Sequence, residues 1–172
     1  VESTGSRVFS DEIHAPLVYR GSVHVPYASL GQVAAGHSIT AVAATKAFNI
    51  PGLKCAQLVL TNDADRFVWS RVSDVPEHAA ANVGLAATAA AYGSGAAWLE
   101  DVTNYLDESR NLLGDLIAEH LPRVGYLAPQ GTYLGWLDVS RLKLEPGPAQ
   151  FFLTEAQVAL TDVAHAVENV GY

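Results

Sequence analysis

The pattern of hydrophobic and polar positions predicts alternating strands and helices along the first part of the chain. Residues 38–42 and 55–60 are apolar runs that predict buried strands, and residues 7–13 are a further, short strand candidate. Asn62 is a preferred helix-capping residue, and the apolar spacing after it predicts a helix that ends near Ser73. The first strand changes from apolar to acidic at its end, where open α/β sheets hold their ligands.

Two further helices are predicted in the middle of the chain. Residues 78–92 are dominated by alanine, and so many small side chains predict close packing against a neighbouring element. A long helix over residues 96–121 carries an apolar stripe and is ended by Pro122. Its length is on the order of 40 Å, enough to bridge two domains.

The last third of the chain has the order of a smaller α+β unit. The predicted elements are paired strands over residues 124–127 and 132–138, a helix over 150–157 and a last strand over 158–160. This order divides the chain into domains of residues 1–108 and 109–172. Residues 162–172 show no clear strand or turn pattern.

Composition and charge exclude several classes of protein. The net charge of −8, without a Lys/Arg cluster, argues against a nucleic-acid partner. No apolar run reaches the roughly 18 residues needed to span a bilayer, and the first residues do not resemble a signal peptide. Cys55 is the single cysteine, so we expect a protein of the reducing cytoplasm. Only 16% of residues are charged, which indicates a surface partly covered by another subunit or by further chain.

Lys46 is the residue with the clearest candidate chemistry. The small residues Ala43 and Ala44 lead into it, Thr45 precedes it, and an apolar run follows. Such surroundings dehydrate an amine and disfavour its charged form, which makes the amine a nucleophile toward a carbonyl.

Three other side chains extend this chemistry. Asp11 and His14 follow the first predicted strand, and Lys54 lies eight residues after Lys46. An aldehyde cofactor with a pyridine ring and a phosphate needs an amine, an acid for the ring nitrogen, a donor for the phenolic oxygen and a cation for the phosphate.

Three segments of the chain resemble the fold-type I pyridoxal-phosphate (PLP) enzymes. They are SDEIHAPLVY at residues 10–19, TKAFNIPGLK at 45–54 and GTYLGWLD at 131–138, in family order. They most closely resemble the cystathionine β-lyase-like (C–S lyase) subgroup of the class I/II aminotransferase family, and the resemblance extends to about Asp162. It implies an α/β fold: part of the family's three-layer α/β/α large domain, followed by part of its smaller α+β C-terminal domain.

The resemblance also implies roles for individual residues. Lys46 is the lysine that forms an imine with pyridoxal 5'-phosphate, and Asp11 is the partner of the pyridine nitrogen. His14 faces the phenolic oxygen and Lys54 approaches the phosphate. Thr45 keeps a hydroxyl in the same cofactor-binding loop.

Three tyrosines are candidate substrate-side residues, with packing as the alternative for each. Tyr19 and Tyr27 lie in a long Gly- and Pro-rich loop that borders the predicted pocket. Tyr133 and Trp136 belong to the third motif, and we expect both in the core, with a substrate-side role as the alternative for Tyr133.

The implied activity is a PLP-dependent C–S β-lyase acting on sulfur-containing amino acids, with a class I/II aminotransferase as the alternative. The resemblance also implies a homodimer. The chain lacks the family's upstream half and its substrate-binding arginine, and Ala43 replaces a hydroxyl that many relatives place near the phosphate. A truncated, catalytically inactive fragment is therefore a third possibility.

The remaining polar residues carry weaker signals. The other histidines lack metal-ligand spacing, so no metal site is predicted; they are His24, His37, His78, His120 and His165. Ser10 and Ser22 lack the glycine pattern of a nucleophile elbow. Glu12 should face away from Asp11, because side chains alternate along a strand, as a solvated or structural carboxylate.

Overall fold

The computed structural model describes residues 2–162, which form two compact units. The first unit comprises residues 2–108 and the short segment Gln130–Tyr133, and the remaining described residues form the second unit. The sequence-based division assigned all of residues 109–172 to the second domain, whereas the structure places residues 130–133 in the first unit. Except for Asp162, the tail 162–172, with His165, lies outside the described residues.

A three-stranded sheet organises the first unit. The central strand β2 (Ser38–Val42) lies between β1 (Val8–Asp11) and β3 (Gln57–Leu60). β1 runs parallel to β2 with Asp11 beside Ala41, whereas β3 runs antiparallel to β2. The three predicted strands are confirmed, although β1 and β3 are shorter than the predicted segments 7–13 and 55–60.

Helices connect and follow these strands along the chain. In chain order they are α1 (Gln32–His37), α2 (Ala44–Ala47), α3 (Asp63–Val72), α4 (Asp74–His78), α5 (Asn82–Ser94), α6 (Ala96–His120) and α7 (Pro148–Glu155). The predicted cap of α3 is confirmed, because the Asn62 side chain accepts a hydrogen bond from Asp65 N at 2.9 Å. The predicted helix 78–92 begins later, because Ala81 has an extended backbone that separates α4 from α5.

The segment that carries Lys46 is a helical turn, not the predicted loop. α2 starts two residues after β2, with Ala43 as its extended N-cap residue. The turn packs inside the first unit, where its small residues Ala44 and Ala47 are buried. Phe48 follows α2 and stacks on Trp98, with 5.7 Å between the ring centroids.

Close packing of α5 supports the same region. A Cβ atom added at Gly84 would lie 2.2 Å from Leu53 O and 3.0 Å from the Cβ of the buried Cys55. The small residue therefore brings α5 against the chain that follows Lys46, as the alanine-rich sequence predicted.

The second unit contains part of α6, a two-stranded sheet and α7. Strand β4 (Gly125–Tyr126) pairs antiparallel with β5 (Leu137–Asp138), a shorter version of the predicted hairpin. The predicted strand 158–160 is wrong: Val158 N bonds to Phe152 O in the turn after α7, and no strand of the described residues pairs with it. Trp136 is 66% exposed, so its predicted core position is also wrong.

Within residues 2–162, no helix combines the length and the apolar character needed to cross a membrane.

Gly84 provides a direct test of this packing. The substitution Gly84→Ala should destabilise the protein by about 1–3 kcal/mol, because its new methyl group overlaps Leu53 O. Gly93→Ala in the same helix is the matched control, since a Cβ there meets nothing within 4 Å and alanine is favoured in helices. Urea denaturation measures both variants, and equal stabilities would contradict the close contact.

Candidate functional site

The candidate site lies where two parallel strands end. β1 ends at Asp11 and β2 ends at Val42, four residues before Lys46. The pairing persists up to this edge, because Glu12 N donates to Ala41 O at 2.9 Å. Since parallel strands present their carboxyl ends at the same edge, the Asp11 and Lys46 segments leave the sheet as neighbours.

His14 lies in the turn after β1 and is affected by both segments. Burial lowers the pKa of its half-buried ring, the positive charge of Lys46 lowers it further, and the negative charge of Asp11 opposes them. Because the net pKa is below the usual 6.5, the ring is uncharged at neutral pH. The structure thus brings together the charges of Asp11 and Lys46 around one neutral imidazole.

A segment from much later in the chain completes the surroundings of His14. Thr132 Oγ1 lies 2.8 Å from His14 Nδ1, and the Tyr133 ring meets the imidazole edge-on, with centroids 5.1 Å apart. The segment is held by backbone pairing with residues 17–19: Tyr19 N donates to Gln130 O at 3.0 Å, and Thr132 N donates to Leu17 O at 2.7 Å.

A cavity of about 340 Å³ opens beside these residues. Its walls include Asp11, Glu12, His14, His24 and Thr132. Lys46, Thr45 and Lys54 are not among the residues that line it. The predicted acid and imidazole therefore share a concave surface. Lys46 does not line this surface, but its positive charge lowers the pKa of His14, which does.

Thr45 and Lys54 occupy different environments. Thr45 is buried in α2, and Lys54 is exposed at the end of a short 3₁₀ helix (Pro51–Leu53). No hydrogen bond or ion pair among the described residues joins either side chain to Asp11, His14 or Lys46.

Glu12 is a buried structural carboxylate, the second of its two predicted alternatives. It is 8% exposed and accepts hydrogen bonds from Ser10 Oγ and Tyr27 N, both at 2.9 Å. Its Oε2 also lies 2.8 Å from His24 Nε2. Burial raises the pKa of Glu12, but the hydrogen bonds outweigh it and hold the pKa below its usual 4.5. Glu12 thus fixes the chain around His24 and Tyr27 against the end of β1.

The three candidate tyrosines are placed differently. Tyr19 is buried and its hydroxyl donates to Thr132 O, while the Tyr27 hydroxyl lies 2.8 Å from His37 Nε2. Neither lines the cavity described above. Tyr133 is 46% exposed beside His14, so the expectation that it lies in the core is wrong.

Sequence reasoning missed Thr132, although the residue lies inside the third motif. The available signal was the motif itself, but a contact 118 residues away from His14 has no local pattern. Within the described part of the chain, no group of three or more His, Cys, Asp or Glu side chains is arranged to hold a metal ion.

Comparison with known proteins gives consistent matches. The family model for class I and II aminotransferases matches residues 1–167, which extends beyond the predicted limit of resemblance at Asp162. The chain is 38% identical to the cystathionine β-lyase of Corynebacterium glutamicum over 161 residues, which cover 92% of this chain and 42% of that enzyme. It is 33% identical to the cystathionine β-lyase PatB of Bacillus subtilis, covering 85% of this chain and 38% of PatB.

Solved structures show the same relationship. A PLP-bound C–S lyase from Staphylococcus hominis, complexed with the inhibitor L-cycloserine, has a TM-score of 0.82 at 30% identity. The match covers 98% of this chain and 41% of that enzyme. The chain therefore spans less than half the length of the relatives that it matches.

The buried role of Glu12 predicts a specific acid sensitivity. Glu12→Gln should cost about 1–3 kcal/mol of unfolding free energy at neutral pH, because donors lose a charged acceptor. Since the folded-state pKa of Glu12 is lowered, its contribution is full above the unfolded pKa of about 4.5 and is lost as pH falls through the folded pKa. Denaturation curves from pH 7 downward should show the two proteins converging in acid. The exposed Glu100→Gln is the control, and a constant difference at every pH would contradict the assignment.

The charges around His14 predict opposite shifts of its pKa in two variants. Lys46→Gln should raise the pKa of His14, because a nearby positive charge is removed, whereas Asp11→Asn should lower it. Lys54→Gln should leave it unchanged, since Lys54 is not among the charges that shift it. An NMR titration, with His14 identified by its missing signal in His14→Gln, measures all three. Shifts of the same sign in the first two variants would refute the arrangement.

Proposed function

The chain belongs to the class I and II aminotransferase family, and from this premise we propose that its protein is a PLP-dependent C–S β-lyase acting on sulfur-containing amino acids. The observation that supports this most directly is that the charges of Asp11 and Lys46 both act on the neutral His14, at the edge where two parallel strands end. The relatives named cystathionine β-lyase support the choice of reaction.

The chemistry of the side chains fits the cofactor. PLP offers an aldehyde, a ring nitrogen, a phenolic oxygen and a phosphate. Lys46 would hold the aldehyde carbon covalently through Nζ, and the Asp11 carboxylate would keep the proton on the ring nitrogen. Neutral His14 would donate a hydrogen bond to the phenolic oxygen, while Lys54 and Thr45 would bind the phosphate. When bound, PLP supplies an electron-withdrawing ring that stabilises negative charge on the substrate α-carbon.

The reaction assigns a second task to Lys46. Once its amine is free, Lys46 would remove the substrate α-proton as a general base. The small, buried residues Ala43, Ala44 and Ala47 support this task, because they exclude water around the helical turn that carries the amine. The electron pair of the broken carbon–hydrogen bond would form a double bond between the α- and β-carbons. The carbon–sulfur bond would break at the same time, and the sulfur would keep the electron pair of that bond and take up a proton. With one added water, the net products are a thiol, pyruvate and ammonia.

Tyrosines would serve the site in two ways. Tyr133, exposed beside His14, would border the substrate. Tyr19 and Tyr27 would have structural roles beside the cavity, because their hydroxyls already have partners. The Tyr19 hydroxyl donates to Thr132 O, and the Tyr27 hydroxyl lies 2.8 Å from His37 Nε2.

We also propose that the protein is a cytoplasmic homodimer. Exposed apolar side chains, such as Phe67 and Val75, support a surface that is covered in the assembled protein. The single thiol of Cys55 is buried and unpaired, in keeping with a reducing compartment.

A class I/II aminotransferase is the second candidate, because the matching family model describes aminotransferases. The products separate the two: the lyase releases a thiol, pyruvate and ammonia, whereas an aminotransferase passes the amino group to a keto acid and leaves the carbon–sulfur bond intact. An inactive fragment would give neither set of products.

Borohydride trapping tests the proposed role of Lys46. The whole protein that contains this chain, mixed with PLP, should develop a visible absorbance band that borohydride reduction fixes onto Lys46, as mapped by peptide mass spectrometry. With cystathionine as the substrate, the same preparation should release thiol, pyruvate and ammonia in equal amounts, and Lys46→Ala should abolish both label and products.

Two lysine variants serve as controls for this experiment. Lys54→Ala should keep the label on Lys46 but weaken PLP binding about tenfold, or about 1.4 kcal/mol, because a phosphate contact is lost. Lys143→Ala, an exposed lysine in the second unit, should change neither. Label on a different lysine would refute the assignment, and amino-group transfer without thiol release would replace the lyase by the aminotransferase.

A further inference from the structure

Thr132 has a backbone conformation that its side chain disfavours. Its φ of 63° lies in the left-handed region, where a β-branched residue is an outlier. Such strained residues persist only where surrounding contacts hold them, and they cluster at functional sites.

The contacts that hold Thr132 are all long-range in sequence. Its N–H donates to Leu17 O and its carbonyl oxygen accepts from the buried Tyr19 hydroxyl. The preceding Gly131 forms an isolated antiparallel bridge with Val18, and a Cβ on Gly131 would lie 2.6 Å from Leu17 O. Both the N–H and the carbonyl oxygen of Thr132 are thus hydrogen-bonded, which leaves its side-chain hydroxyl as the group that can act on another residue.

That hydroxyl meets one nitrogen of His14. Thr132 Oγ1 lies 2.8 Å from Nδ1, and the Tyr133 ring contacts the imidazole at an interplanar angle of 60°. Within the described part of the chain, Nε2 has no hydrogen-bond partner. The two ring nitrogens are therefore in different environments before any ligand binds.

We propose that Thr132 is a positioning residue: its hydroxyl donates to His14 Nδ1, fixes the Nε2–H tautomer of the imidazole and keeps the ring in one orientation. The proton on Nε2 is then available to donate to a bound molecule. A hydrogen bond to one ring nitrogen generally sets which of the two carries the proton. The identity of the acceptor, the phenolic oxygen of PLP, rests on the proposed function, whereas the tautomer does not.

NMR of the cofactor-free whole protein, labelled with ¹⁵N-histidine, tests the tautomer directly. In the unsubstituted protein at neutral pH, His14 should show an unprotonated Nδ1 and a protonated Nε2. Thr132→Ser should keep this pattern, since it retains the hydroxyl. Thr132→Val has nearly the same shape without the hydroxyl, so its His14 should become a mixture of both tautomers.

A thermal melt of a third variant separates positioning from folding. Thr132→Gly relieves the left-handed strain, so its Tm should be at least that of Thr132→Val, although its His14 is equally mixed. An Nδ1–H tautomer in the unsubstituted protein, or an unchanged tautomer in Thr132→Val, would overturn the proposal. These measurements contain no PLP, so failure of the proposed function would appear separately, as absent trapping on Lys46.

Discussion

Parallel pairing of β1 with β2 is the constraint on which the rest of the site depends. Asp11 and Lys46 are far apart along the chain, yet the register that sets Asp11 beside Ala41 brings their segments to one edge of the sheet. Because both strands run the same way, both turns leave at that edge, and the charges on them act on the same histidine. An antiparallel pairing of β1 and β2 would have sent the two turns to opposite ends of the sheet.

The edge is useful only because other parts of the first unit support it. On the Lys46 side, buried alanines shape a tight helical turn, and α5 approaches the following chain at Gly84. On the Asp11 side, the segment Gln130–Tyr133 joins the first unit through backbone bonds to residues 17–19. Each support uses small residues or backbone groups, which allow close approach without adding charge near the site.

Adjacent carboxylates at the end of β1 illustrate how burial separates chemistry from architecture. Asp11 is exposed at the cavity, and its negative charge acts on His14. The Glu12 carboxylate accepts a hydrogen bond from Tyr27 N and lies within hydrogen-bond distance of His24 Nε2, so it holds this part of the chain in place. Both acids line the same cavity, but the hydrogen bonds that Glu12 accepts hold it in a buried, structural position, whereas Asp11 stays exposed.

The amino-acid sequence alone determined the local elements and the types of reactive group. The strand Ser38–Val42, the Asn62 cap and the long helix α6 follow from patterns within a few residues, which tertiary packing reinforces. Only the tertiary structure decided which carboxylate is buried, that Lys46 lies in a helical turn, and that Thr132 meets His14 across 118 positions. These features depend on contacts between distant segments, and on a left-handed backbone at Thr132 that its own side chain disfavours, so no local pattern encodes them.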